Sequence, residues 1–206
     1  MGVTQQSISK ALDWGYEKAL TGGIPGTNTA YELAEEYLQY KGELRDRVNL
    51  LIRWQNARSA TSGFVTGLGG AVTLPIAIPA NIASVLYIQL RMVAAIAIMG
   101  GHDVKDDKVR TVAYACLCGN TVAELLKDVG IQLGKKFSEQ ALKKLSAESI
   151  RKINEAVGFR LFTKYGKTGV INLHRVIPFV GGVTGAVFDG VSTNVTGKIA
   201  RKIFIE

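Results

Sequence analysis

Residues 63–79 read GFVTGLGGAVTLPIAIP, seventeen positions without a charge, with glycine at 63, 67, 69 and 70 and proline at 75 and 79. Three chemistries produce such a stretch: a loop that cradles phosphate, a segment made for lipid, or a helix packed unusually close to its neighbours. Spacing disposes of the first. A dinucleotide fingerprint requires G-x-G-x-x-G after a strand, and here Gly67 and Gly69 are followed by Val72 where the third glycine belongs. The nearest phosphate-loop candidate runs from Gly190 to Gly197-Lys198, with the wrong interval and with Ile199 in place of the magnesium-binding hydroxyl.

Lipid is a stronger reading. From Ser59 to Leu90 there are 32 consecutive uncharged residues, more than the ~20 that cross a bilayer. Gly63/Gly67 and Gly181/Gly185 are both G-x-x-x-G pairs, the spacing that lets helix backbones approach closely. Against a simple span stand Pro75 and Pro79, which break the run, and Arg91, which is costly at a bilayer centre. Reversible peripheral insertion fits better. Close packing is compatible with it: glycine costs about 1 kcal/mol against alanine in a helix, so repeated use implies a compensating contact. The segments 63–74 and 179–190 are alike in composition, and the expectation is that they pack against each other.

Outside this stretch the pattern is helical from end to end. Ile8 to Leu20 is amphipathic and stops at TGGIPG (21–26). Thr29 and Glu32 form a capping box for a helix carrying Leu33, Tyr37 and Tyr40, with Gly42 as its end. A third helix starts at Glu43, with Leu44, Val48, Leu51, Ile52 and Gln55 on one face. Pro79 opens a long helix to Met99, closed by Gly100-Gly101. Asp106 caps a helix expected to continue to Lys127, and Ser146 caps another through Ile150, Ile153, Val157 and Leu161. A glycine-rich helix follows Pro178. No strand-like alternation persists. The expected fold is an all-α single domain over 1–206, a bundle of about six to eight helices with tightly packed, glycine-rich core helices.

Charge is unevenly placed along the chain. The formal net charge is +8. Residues 1–58 hold seven basic and seven acidic side chains and 59–126 hold four of each, whereas 127–206 hold fourteen basic and six acidic. Lys135, Lys136, Lys143, Lys144, Arg151 and Lys152 therefore form a candidate face for an anionic partner, with solvated helix surface as the plain alternative. Mean hydropathy is +0.15, between a soluble domain and an integral membrane protein. Cys116 and Cys118 lie two apart on a helical run, pointing to opposite sides, which disfavours a disulfide or a metal pair and suits a reducing compartment. The first ten residues contain no apolar signal core, so secretion is not expected.

One polar line runs along the helix after Pro79: Asn81, Ser84, Tyr87 and Arg91. A buried Arg91 needs a partner, and Asp189 or Asp103 is the expected carboxylate. That network is either an internal ion pair setting helix register or a polar pocket for a headgroup or small ligand. Catalysis has less support. His102 and His174 stand apart, no nucleophile elbow is present, and no metal or cofactor motif emerges.

Several segments resemble the EcsC protein family. GFVTGLGGAVTLPIAIPANIASVLYIQLRMVAAIAIMGGHDVKDDKVR (63–110) looks like its central signature. INLHRVIPFVGGVTGAVFDGVSTNVTGKIARKIF (171–204) resembles its C-terminal one, with Asp189 and the closing Ala200-x-x-x-Phe204, while ALDWGYEKAL (11–20) and LIRWQNARSA (51–60) fit the N-terminal part. The resemblance implies a bacterial, cytoplasmic helical protein working near the membrane, since the family is named for a protein encoded beside an ABC-type transporter. It brings no reaction, cofactor or catalytic residue to carry over. The expectation is a non-enzymatic accessory protein at the inner face of the cell membrane, touching anionic lipid through its basic face and glycine-rich segments. A soluble adaptor for a transporter subunit or other protein, using an apolar groove, is the alternative, as is a ligand-binding or enzymatic pocket around Arg91, Asp103 and Asp189. Nucleic acid ranks last, because Phe137, Phe159, Phe162 and Tyr165 mostly occupy core phases.

Overall fold

The computed structural model describes residues 3–59, 78–129, 142–165 and 183–206, with the backbone alone described at 59, 81 and 183–191. They form eight α-helices, and no strand occurs among the described residues: α1 (Gln5–Thr21), α2 (Ala30–Leu38), α3 (Leu44–Ser59), α4 (Ala80–Met99), α5 (Asp107–Cys116), α6 (Val122–Lys127), α7 (Ala147–Tyr165) and α8 (Val183–Phe204). The helix α4 is the axis of the bundle and packs against α1, α2, α3, α5 and α8. Its sequence dictates that position. Leu86, Tyr87, Ile88, Leu90, Met92, Val93 and Ile96 point around the whole circumference and are all buried, so no face of the helix is left for water. The window Ile82–Met99 is apolar and long enough to cross a membrane, and 89% of it is buried inside the protein, as expected of a core helix.

Helix ends follow local chemistry. The Thr29 hydroxyl accepts from the Glu32 amide, and the Glu32 carboxylate accepts from the Thr29 amide at 2.7 Å, an interaction that holds that carboxyl below its usual range. Beyond Met99, Gly101 takes φ +81°, and the His102 amide donates back to Ala97, a Schellman closure that a side chain at 101 would strain. Ser146 caps α7 through the Ser149 amide, and Ile153, Val157 and Leu161 face inward.

Two helices differ from the sequence expectation. The second ends at Leu38, short of Gly42, because Arg47 of α3 donates to the Leu38 and Gly42 carbonyls and closes the corner. The helix expected from Asp106 to Lys127 is broken in two. Gly119 sits at φ +65° and a 3-10 turn, Gly119–Thr121, separates α5 from α6. This break lets the turn pack on α8 and opens a corner beside α7.

Close packing occurs at glycine, although away from the predicted pairs. A Cβ on Gly197 of α8 would lie 2.8 Å from Ile52 and 3.1 Å from Met92, so three helices converge on the bare backbone. Gly15 likewise seats α1 on Leu90 and on the backbone of Tyr87. Gly63, Gly67 and Gly181, and with them the expected packing of 63–74 on 179–190, lie outside the described residues, and Gly185 is described only as backbone within α8.

Candidate functional site

The polar line on α4 faces the loop between α1 and α2 and the inner side of α3. Ser84 closes on its own helix, its hydroxyl donating to the Ala80 carbonyl at 2.7 Å. The Tyr87 hydroxyl meets the Thr27 hydroxyl at 2.8 Å. One turn on, Arg91 is completely buried. Its guanidinium donates to the Asn28 carbonyl at 3.1 Å and to Gln55 Oε1 at 2.8 Å, and lies over the Tyr87 ring, 5.6 Å from the centroid. Its Nε has no partner among the described residues. Burial pulls the guanidinium below its ordinary pKa, and nearby Tyr87 opposes that shift.

These contacts correct the expected ion pair with Asp103. Asp103 is exposed, and its carboxylate accepts from the Lys105 amide in the turn after α4. Among the described residues, neutral acceptors from the glycine-bearing loop and from Gln55 hold Arg91. The side chains of Asn81 and Asp189 lie outside the described residues. A second buried polar position, Gln89, carried no signal in the α4 pattern. Its amide donates to the hydroxyls of Ser192 and Thr193 of α8, each at 3.2 Å. The Lys164 ammonium of α7 donates to the same Ser192 hydroxyl at 2.8 Å.

On the outside of the bundle, α7 packs inward on α1, α5 and α6 and turns its other face to solvent. Arg151 and Lys152 are exposed there, Lys143 and Lys144 are exposed just before the helix begins, and Lys135 and Lys136 lie outside the described residues. Arg151 pairs with Glu155 at 2.9 Å and Lys152 with Glu148 at 2.7 Å, both one helical turn apart. The stretch thus presents four cations against two carboxylates, a smaller excess than the sequence alone implies. Phe159 is the unexpected member. It follows Glu155 by one turn and Lys152 by two, so it shares their face, and it is 60% exposed. That exposure corrects the core phase assigned to it from sequence. The apolar face of α7 is already complete with Ile153, Val157 and Leu161, leaving Phe159 surplus to the core.

Beside Phe159 a groove of about 570 Å³ runs between α7 and the broken corner of α5 and α6. Cys118, Thr121, Phe159, Arg160, Leu161 and Lys164 line it. Arg160 spans the opening, donating to the Thr121 carbonyl at 3.1 Å and pairing with Glu124 at 3.3 Å. Burial pushes the Cys118 thiol up to about 11 even though Arg160 and Lys164 pull it down, so the field of both cations reaches the groove wall. The thiol is protonated at neutral pH and is no nucleophile.

An all-α bundle wound around one apolar helix, with an internal arginine and a basic outer helix, is the class of protein the geometry defines. The model of the EcsC protein family matches residues 4–205, and the chain belongs to that family. No curated protein and no solved structure matches it.

Proposed function

We propose that this chain is a non-enzymatic accessory protein that rests on an anionic membrane surface, using the exposed face of α7. The observation that carries the reading is Phe159, a large aromatic ring displayed to solvent on the same face as Arg151 and Lys152. An isolated exposed aromatic is ordinary. One set among cations on an outer helix matches what an interface rewards, since the ring enters the headgroup layer while ammonium and guanidinium groups meet lipid phosphates. Each basic residue near such a surface contributes about 1 kcal/mol, within a Debye length. The family's association with a transporter is consistent with this location at the inner face of the cell membrane, beside a transporter subunit. Flotation of the purified chain with phosphatidylglycerol vesicles, but not phosphatidylcholine vesicles, and its loss in high salt are the expected outcomes. Failure to float with either lipid ends this reading.

One observation favours the soluble adaptor as a second reading. Of the exposed large hydrophobics among the described residues, Tyr31, Leu38, Tyr40 and Trp54 lie on α2, α3 and the corner joining them. A protein partner docking there predicts that Trp54→Ser abolishes the interaction and leaves vesicle binding untouched.

A further inference from the structure

Of the five large hydrophobic side chains exposed among the described residues, four fall within residues 31–54: Tyr31, Leu38, Tyr40 and Trp54, the last 56% exposed. They lie on α2, on α3 and on the corner between them, and the two helices pack on each other. On α2, Leu33, Ala34 and Tyr37 face the core, and Tyr31, Glu35 and Leu38 form one exposed line at intervals of four and three. On α3, Leu51, Ile52 and Gln55 are buried while Arg53 and Trp54 are exposed. Charge divides this surface in two. Residues 30–38 hold three glutamates, Glu32, Glu35 and Glu36, and no basic residue, a charge of −3. Residues 39–59 hold five basic residues, Lys41, Arg45, Arg47, Arg53 and Arg58, against Glu43 and Asp46, a charge of +3. The helices touch without using each other's charges. Glu35, Glu36, Lys41 and Arg53 are all exposed, and none is in an ion pair among the described residues.

We infer that this surface pairs with the same surface of a second copy of the chain, the two copies related by a twofold axis. The inference rests on the adaptor reading of these residues and names the partner. The division of charge selects it. A uniformly basic partner would meet the cations of α3, and a uniformly acidic one the carboxylates of α2, each a like-charge contact. The fitting partner carries both signs in the opposite order. A twofold axis supplies that arrangement from the one surface, because it sets α2 of each copy against α3 of the other. Tyr31, Leu38, Tyr40 and Trp54 leave water in the same contact, and tyrosine and tryptophan are among the residues that interfaces favour. An anionic lipid surface is a poorer fit here, since the three carboxylates of α2 would face its phosphates. The exposed face of α7 takes no part and stays available to lipid.

The test is sedimentation velocity of the full chain over a concentration series at low and high salt. A reversible monomer–dimer equilibrium is expected, limited at twice the 22.2 kDa chain mass and weakened by salt. Trp54→Ser should weaken dimerisation at least about tenfold. Two charge reversals at exposed positions, E35K/E36K and K41E/R53E, should each do the same while melting as the parent does, because each sets like charges opposite one another. An equimolar mixture of the two reversed chains should dimerise again, since every contact in the mixed pair joins opposite signs. A misfolded variant could not be rescued in this way. A chain that is monomeric at every concentration overturns the second copy and leaves a different protein partner for the adaptor reading. Reversed chains that dimerise unaided, or a mixture that stays monomeric, also overturn it, and species larger than a dimer overturn the twofold axis. A dimer indifferent to Trp54→Ser removes this surface and the adaptor reading with it. Loss of flotation with phosphatidylglycerol vesicles removes the proposed membrane contact and leaves the dimer standing.

Discussion

Two helices of this bundle carry positive charge in opposite ways. On α4 the charge is a single arginine with no exposure, fixed by a carbonyl, a glutamine oxygen and the face of a tyrosine. On α7 it is a set of exposed cations, partly matched by carboxylates one turn away, with an aromatic ring displayed among them. The buried charge is dear to move, so it dictates structure: it ties α4 to the α1–α2 loop and to α3. The exposed charges cost little to rearrange and hold nothing in place. They are the ones available to a partner. Charge inside specifies the fold, and charge outside is where function is to be sought.

Breaking the interior half of this comparison should have the largest effect. Gln55→Leu removes an acceptor from a guanidinium that cannot reach water, and should lower stability by about 3 kcal/mol in urea melts. Gln55→Glu places a carboxylate against the same guanidinium and should retain most of the stability. A Leu variant as stable as the parent would contradict the structural role of Arg91. Next comes Gly197→Ala. Helix propensity favours alanine by about 1 kcal/mol, while crowding Ile52 and Met92 costs about 1–3 kcal/mol, so a net loss near 1 kcal/mol is expected. A stabilised variant would show that α3 and α8 do not meet as closely as described.

The exterior half should break without touching the fold. Replacing Arg151 and Lys152 together by glutamine dissolves two exposed ion pairs, and thermal melts should show no measurable change. A clear fall in the midpoint would mean that these charges hold α7 in place, and the distinction between the two helices would fail.

Much of the fold was legible in the sequence because its signals are local. The Thr29–Glu32 box, the Pro79 start, the Gly100-Gly101 stop and the Ser146 cap each act within one turn, and the helices begin or end there. What was not legible depended on contacts distant in the chain. Asp106 to Lys127 reads as one helix until Gly119 is seen turning to pack on α8. Arg91 was recognised as needing a partner, but a neutral oxygen from Gln55 leaves no charge pattern by which to find it, and a loop carbonyl leaves none at all. The exposure of Phe159 depends on which other residues have already filled the core. The glycines expected to mediate close packing, Gly63, Gly67, Gly181 and Gly185, lie outside the described side chains; the close approach at Gly197 was not foreseen, because it follows from Ile52 and Met92 standing opposite rather than from any G-x-x-x-G spacing.

The most direct test of the account is the fraction of protein that floats with phosphatidylglycerol vesicles at low and high salt. The parent should be compared with Phe159→Ser and with a variant carrying glutamine at Lys143, Lys144, Arg151 and Lys152. The account predicts strong flotation of the parent at low salt, loss of it at high salt, weaker flotation of Phe159→Ser and near-complete loss in the fourfold variant, with all three proteins melting alike. Flotation of the fourfold variant equal to that of the parent would contradict the claim that α7 is the membrane-facing surface.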